Sequence, residues 1–267
     1  MLGLGTGTFG VMVGIGGGVV LVPMLLFFFH MQPAAAAGTS LGLTAVNGLV
    51  GFQAYNKLGL VDKRSGVLFA LAGVPGAVVA PFVVAAIAGG VFKIAFGLLV
   101  LGLVVQMLVR PNAGKKAPDS RGQDVAKTGD QRRITAKNGT EYRYSFNERL
   151  AVLFNVVVGF VSSITGTGGG FMRTPVMVSV FNFPVKVAVA TSVFVLAVTS
   201  LIGFGVNAVL GHVEWYPAFL WTAPGLLVGS QIGARIAARM KAKWILRILL
   251  VALVIIGVRL IYDGVMG

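Results

Sequence analysis

Two short glycine clusters carry the most suggestive chemistry in this chain. Gly14-Ile15-Gly16-Gly17-Gly18 is followed by Pro23, and Gly166-Thr167-Gly168-Gly169-Gly170 by Pro175. Adjacent glycines inside an apolar stretch disfavour a continuous helix. A helix broken at membrane depth leaves backbone N–H groups in need of partners. The half-helix that follows turns its positive end toward the break, and such ends attract anions. Gly16, Gly17 and Gly18, with Gly168, Gly169 and Gly170, therefore make a candidate backbone cradle for one anion. Thr39, Ser40, Thr165, Thr167, Thr191 and Ser192 would add hydroxyl donors. Arg173 lies three residues after Gly170. A charge at such depth costs about 2.5–3.5 kcal/mol on insertion scales, and a guanidinium can grip a sulfonate or carboxylate with two prongs. The same residues have blander readings. Small residues let membrane helices pack closely, and an arginine in a short hairpin can snorkel to the interface.

Other polar residues are less telling. Asp62 and Glu214 follow apolar stretches at equivalent places, with His212 beside Glu214. All three are candidates for proton coupling, although a capping or solvated carboxylate and a solvated histidine fit equally simple chemistry. Asn47, Gln53, Asn155 and Asn207 fall within apolar stretches, where they would line a polar path or bond between helices. No catalytic constellation emerges. There are two histidines and no His-Glu-x-x-His, so no enzyme is expected. Cysteine is absent, which excludes disulfides, iron–sulfur clusters and cysteine-ligated zinc. The glycine clusters lack the Lys-Ser/Thr of a nucleotide-binding loop. No cofactor or metal is expected.

What must position these groups is a membrane framework. Of 267 residues, 56% are hydrophobic and 11% charged, with mean hydropathy +0.89. Soluble domains carry about 25% charged residues. Apolar stretches run at about 1–29, 34–56, 66–89, 91–109, 149–183, 186–210, 217–238 and 244–262, most of them long enough to cross the hydrocarbon as helices. The first basic residue is Lys57, so no signal peptide is expected. Residues 111–148 form a hydrophilic linker. Within it Asn138-Gly139 between β-formers predicts a small hairpin outside the bilayer. Asn138-Gly139-Thr140 also fits a glycosylation sequon, which a simple turn explains as well.

The chain repeats itself. The offset of 152 that carries Gly14 to Gly166 also carries Thr39-Ser40 to Thr191-Ser192, Phe52 to Phe204, Gly59-Leu-Val-Asp62 to Gly211-His-Val-Glu214 and Gly73 to Gly225. If the first and fifth stretches are hairpins that return to their own side, nearly all of the 22 basic residues share one side. Lys93 and Arg259 take the other, and Arg173 stays at depth. That split obeys the positive-inside rule far better than eight plain crossings. Three full spans per half is an odd number, so the halves insert with opposite orientation. The expectation is an all-α polytopic membrane protein with two inverted-topology repeats, each a broken hairpin helix plus three transmembrane helices. Residues 1–110 are the first repeat, 111–148 a cytoplasmic linker and 149–267 the second repeat. The N-terminus would lie outside the cytoplasmic (inner) membrane. The net charge of +14 then records orientation beside anionic lipid, and nucleic acid is not an expected partner.

These motifs resemble the TauE/SafE family of anion exporters. The resemblance rests on Gly14–Pro23, Ala36–Ser40, Gly166–Pro175, Ala188–Ser192 and the closing Gly229-Ser-Gln-Ile-Gly-Ala-Arg-Ile-Ala-Ala-Arg239. It spans both halves, apart from the linker, which is longer than the family pattern. The resemblance implies export of a small sulfur-containing anion: sulfite, sulfoacetate or a related organosulfonate. The residues themselves support an anion site between the repeats, worked by alternating access. An anion channel, or a scaffold or sensor acting through residues 111–148, remains an alternative. A small anion and membrane lipid are the expected partners. Oligomeric state stays open, a homodimer being one option.

Overall fold

The structure, a computed structural model, describes residues 2–14, 16–109 and 130–266. Residues 111–129 of the linker lie outside the described residues. Among the described residues the chain forms ten α-helices and one β-hairpin. The first apolar stretch is two helices, α1 (Leu2–Val13) and α2 (Gly18–Phe28), and the fifth is likewise two, α6 (Glu148–Ile164) and α7 (Gly170–Ser179). Long helices follow: α3 (Pro33–Lys57), α4 (Lys63–Val84) and α5 (Gly89–Val109) in the first half. In the second half come α8 (Val185–Val209), an irregular turn at Trp215–Phe219 leading into α9 (Leu220–Arg239), and α10 (Ala242–Met266). Five of the helices are long and apolar enough to cross a membrane: Pro33–Lys57, Lys63–Val84, Gly89–Gln106, Val185–Val209 and Lys243–Met266. The counterpart of α4, α9, falls short of that standard. Ser230, Gln231, Arg235 and Arg239 lower its apolar character.

The offset of 152 persists in the backbone. Helices α3 and α8 match end for end. The left-handed glycines 14, 16, 17 and 59 match 166, 168, 169 and 211. Among the described residues two non-glycines have positive φ, His30 at 51° and Asn182 at 54°, and they are also mates. Gly17 and Gly169, at φ 81° and 82°, each occupy the N-cap of the returning half-helix, a conformation that costs other residues roughly 1–2 kcal/mol.

Packing exchanges under the same offset: α1 lies along α9 as α6 lies along α4, and α3 against α8 is its own counterpart, as is α5 against α10. Close approaches at glycine give the directions. Gly38 meets His212, Gly42 meets Phe204 and Gly48 meets Ala197, so α3 and α8 run antiparallel. Gly73 meets Gly159 and Gly76 meets Phe160, so α4 and α6 run parallel. These are the small-residue seams by which membrane helices approach without a hydrophobic drive between them.

One end of the bundle is closed by the hairpin. Strands β1 (Asp130–Thr135) and β2 (Glu141–Phe146) pair antiparallel around the turn at Asn138-Gly139. The Lys137 amide donates to the Leu58 carbonyl at 3.0 Å. Phe183, in the loop between α7 and α8, takes Tyr144 and Phe146 at centroid distances of 4.5 and 4.7 Å. Helix α6 starts beside this hairpin and α7 ends beside it, so the broken pair returns to the end from which it sets out. At the other end, Gly38 lies against His212, and the Phe204 and Phe219 rings stack at 5.7 Å.

Candidate functional site

The two helix breaks meet near the middle of the bundle. A Cβ at Gly18 would stand 2.6 Å from the Cα of Thr167, so the first cluster lies against the second. Thr44 of α3 and Leu196 of α8, themselves repeat mates, stand where these helices cross. A Cβ on Gly16 or on Gly168 would strike both side chains. Only glycine lets the breaks come this close.

Each break directs a carbonyl at polar side chains. In the first half the Asn47 side-chain amide donates to the Gly16 carbonyl at 2.7 Å, and the Ser230 hydroxyl donates to the Asn47 Oδ1. In the second half Gly168 takes the corresponding place. Its carbonyl accepts from the hydroxyl of Thr199, the mate of Asn47, and from Arg173 Nη1, both at 3.5 Å. The plan is thus shared, but the second half is cationic where the first is neutral.

Arg173 is the centre of the electrostatics. It is 0% exposed. Its Nε donates to Asn155 Oδ1 at 2.7 Å, and its Nη2 has no partner. Asn155 is held in place by its own bond to the Ala151 carbonyl. Among the described residues no carboxylate lies within ion-pair distance of Arg173. Glu148 pairs with Arg132 and Arg64, Glu141 with Arg133 and Arg143, and Asp263 with Arg259. A guanidinium does not lose its proton, and a buried charge without a partner carries a heavy desolvation cost. The side-chain hydroxyls of Ser40, Thr44, Ser163 and Ser200 are also buried and without partners. The Ser200 hydroxyl and the Thr44 methyl both face Gly168, and the Ser163 hydroxyl lies near Gly203. A buried cation with a free donor, and the unpaired Ser200 hydroxyl at the same break, fit an oxyanion, which accepts several hydrogen bonds and balances the charge.

The remaining sequence candidates divide. Thr165 and Thr167 sit at the break, where their hydroxyls bond each other at 3.0 Å and Thr165 also donates to the Val161 carbonyl at 2.9 Å. Ser192 donates to the Gly14 carbonyl at 3.2 Å, as does Thr174. Thr39 and Thr191 serve a different purpose. The Asp62 amide donates to Thr191 Oγ1 at 3.0 Å and the Glu214 amide to Thr39 Oγ1 at 2.8 Å. Each threonine thus fastens the loop of the opposite half.

Asp62 is buried as the N-cap of α4. Its carboxylate accepts from the Ser65 amide at 3.2 Å and from the Tyr144 phenol at 2.6 Å. Burial foremost, then the Asp62 charge, raises the Tyr144 phenol well above its ordinary range. Glu214 is exposed at the opposite end, two residues after His212, whose Nδ1 is unpaired. These three candidates lie at the two ends of the bundle, away from Arg173. Of the other polar residues, Asn47 and Asn155 join the site, Asn207 bonds the Gly203 carbonyl, and Gln53 is exposed. Thr44, Ser163, Ser200, Thr199 and Ser230 escaped the sequence reading. Their only signal was one or two hydroxyls in an apolar helix, which usually bond their own backbone.

The family model described as "Sulfite exporter TauE/SafE" matches residues 1–260. The probable membrane transporter protein YunE of Bacillus subtilis is 34% identical over 99% of this chain and 97% of its own length. The probable membrane transporter protein YjnA of the same organism is 23% identical over 87% and 88% of the two chains. One from Methanocaldococcus jannaschii is 24% identical over 81% and 73%. No solved structure gives a significant match.

Proposed function

This chain belongs to the sulfite exporter TauE/SafE family, and from that premise we propose that it exports a small sulfur-containing anion, sulfite or an organosulfonate, by alternating access. The observation that carries the reading is Arg173, a buried cation with a free Nη2 and, among the described residues, no carboxylate partner, set at the second helix break where the unpaired Ser200 hydroxyl also stands. The antiparallel pairing of α3 with α8, and of α5 with α10, supports an inverted repeat. A two-fold axis that exchanges antiparallel helices lies perpendicular to them. If the helices cross the membrane, that axis lies in the membrane plane, the arrangement common in secondary transporters. Positive charge supports the orientation. Lys57, Lys63, Arg64, Lys186, Arg239 and the hairpin arginines gather at the hairpin end, which we assign to the cytoplasm of a cytoplasmic membrane. An inside-negative potential then favours anion efflux by about 2.3 kcal/mol per charge per 100 mV.

Purified protein in vesicles tests the reading. Vesicles loaded with excess unlabelled sulfite and placed in dilute labelled sulfite should show saturable counterflow of the label. Unitary currents in place of counterflow would make the protein a channel, and the absence of any flux would defeat the anion-transport reading.

A further inference from the structure

We infer that the site accepts a singly charged oxyanion and discriminates against a doubly charged one, so that the loaded site is neutral and the empty site positive. This rests on the exporter reading above and adds the charge of the transported species. Sulfite exists near neutral pH as a mixture of monoanion and dianion, so the distinction has a direct consequence.

Charge balance sets this preference. Arg173 supplies a single full charge. The charged groups on the elements packed against α7 lie at helix ends. Lys93 on α5 reaches the Asp263 carbonyl, Glu148 on α6 pairs with Arg132 at the hairpin, with Arg149 next to it in sequence, and Lys186 on α8 reaches the Ala238 carbonyl. None neutralises or reinforces Arg173. The positive ends of α2 and α7 do face the breaks, but α1 ends at Val13 and α6 at Ile164, at those same breaks. Each break therefore receives one positive and one negative helix end, and their partial charges cancel to first order. The Ser200 hydroxyl at the second break orients an anion without adding charge. The repeat mate of Arg173 is Leu21, so the duplicated site holds one cation where a symmetric site would hold two. A dianion would leave one uncompensated negative charge at depth. Insertion scales attach to such a charge a penalty equivalent to roughly 100-fold in equilibrium.

The test uses vesicles containing the purified protein, with equal pH on both faces. Labelled sulfite uptake is measured at fixed total concentration while pH is stepped through the titration of hydrogen sulfite. Methanesulfonate, a monoanion throughout, is measured in parallel. Sulfite uptake, taken relative to methanesulfonate, should fall in proportion to the monoanion fraction. A potassium diffusion potential gives a reading that needs no second substrate. The steady-state ratio of total sulfite should change about tenfold per ~60 mV for one net charge, and hundredfold for two. Uptake that rises with the dianion, a hundredfold slope, or no voltage dependence would each overturn the inference and leave transport intact. No sulfite flux at any pH would overturn the exporter reading, and this inference with it.

Discussion

Replacing Arg173 by methionine separates binding from stability. Methionine fills a similar volume without charge. The variant loses one good charge-assisted hydrogen bond, Nε to Asn155 Oδ1 at 2.7 Å, and a long one to the Gly168 carbonyl at 3.5 Å. The first contributes about 1.5–3 kcal/mol. The second lies at the limit of hydrogen bonding and contributes little. Against this, the substitution relieves a fully buried charge, worth about 2.5–3.5 kcal/mol on insertion scales. The two nearly cancel, so apparent thermal stability without anion should stay within about 2 kcal/mol of the parent. The response to anion should differ sharply. Ligand at 100 times its dissociation constant stabilises a folded protein by about 2.7 kcal/mol, and Arg173→Met should lose nearly all of that. The assay is thermal unfolding of detergent-purified protein across a sulfite titration, with Arg173→Lys as the charge-conserving variant. Equal sulfite shifts in parent and Arg173→Met would remove Arg173 from the site. A collapse of stability without anion would show its role to be structural.

Tyr144→Phe should leave the buried Asp62 carboxylate one donor short and destabilise the hairpin end by about 1.5–3 kcal/mol, read as faster proteolysis within 130–146. The pH dependence has a definite sign. Because the Tyr144 phenol is raised in the folded state, its contribution is fully present below about pH 10, the unfolded value, and is lost as pH climbs beyond it. Tyr144→Phe should therefore flatten part of the alkaline stability loss. Gly18→Ala places a methyl 2.6 Å from Thr167 Cα, against backbone that cannot yield, and should abolish anion-dependent stabilisation or folding. Gly5→Ala, with nothing within 4 Å, should be silent in the same thermal assay.

Composition and the glycine clusters were enough to read a polytopic membrane chain and its helix breaks, because these are local or periodic properties. Adjacent glycines interrupt a helix wherever they stand, and a duplicated segment shows itself without any contact. The identity of Arg173 as the odd charge was legible for the same reason, since an arginine three residues past a glycine break inside an apolar stretch is visible in one dimension. Its surroundings were not. That Asn155 holds it, that no carboxylate among the described residues answers it, and that Ser200 and the Thr44 methyl meet at Gly168 depend on helices up to 45 residues apart in the chain, from Asn155 to Ser200, and on Thr44 from the other half. The threonines show the limit most clearly. Thr39 and Thr191 look like donors beside Ser40 and Ser192, yet each turns to the loop of the opposite half, 175 and 129 residues away. Residue type and spacing determine which groups are available and where the chain must break. Only the packed structure decides which of those groups already have partners, because a hydrogen bond is a property of two places in the chain at once.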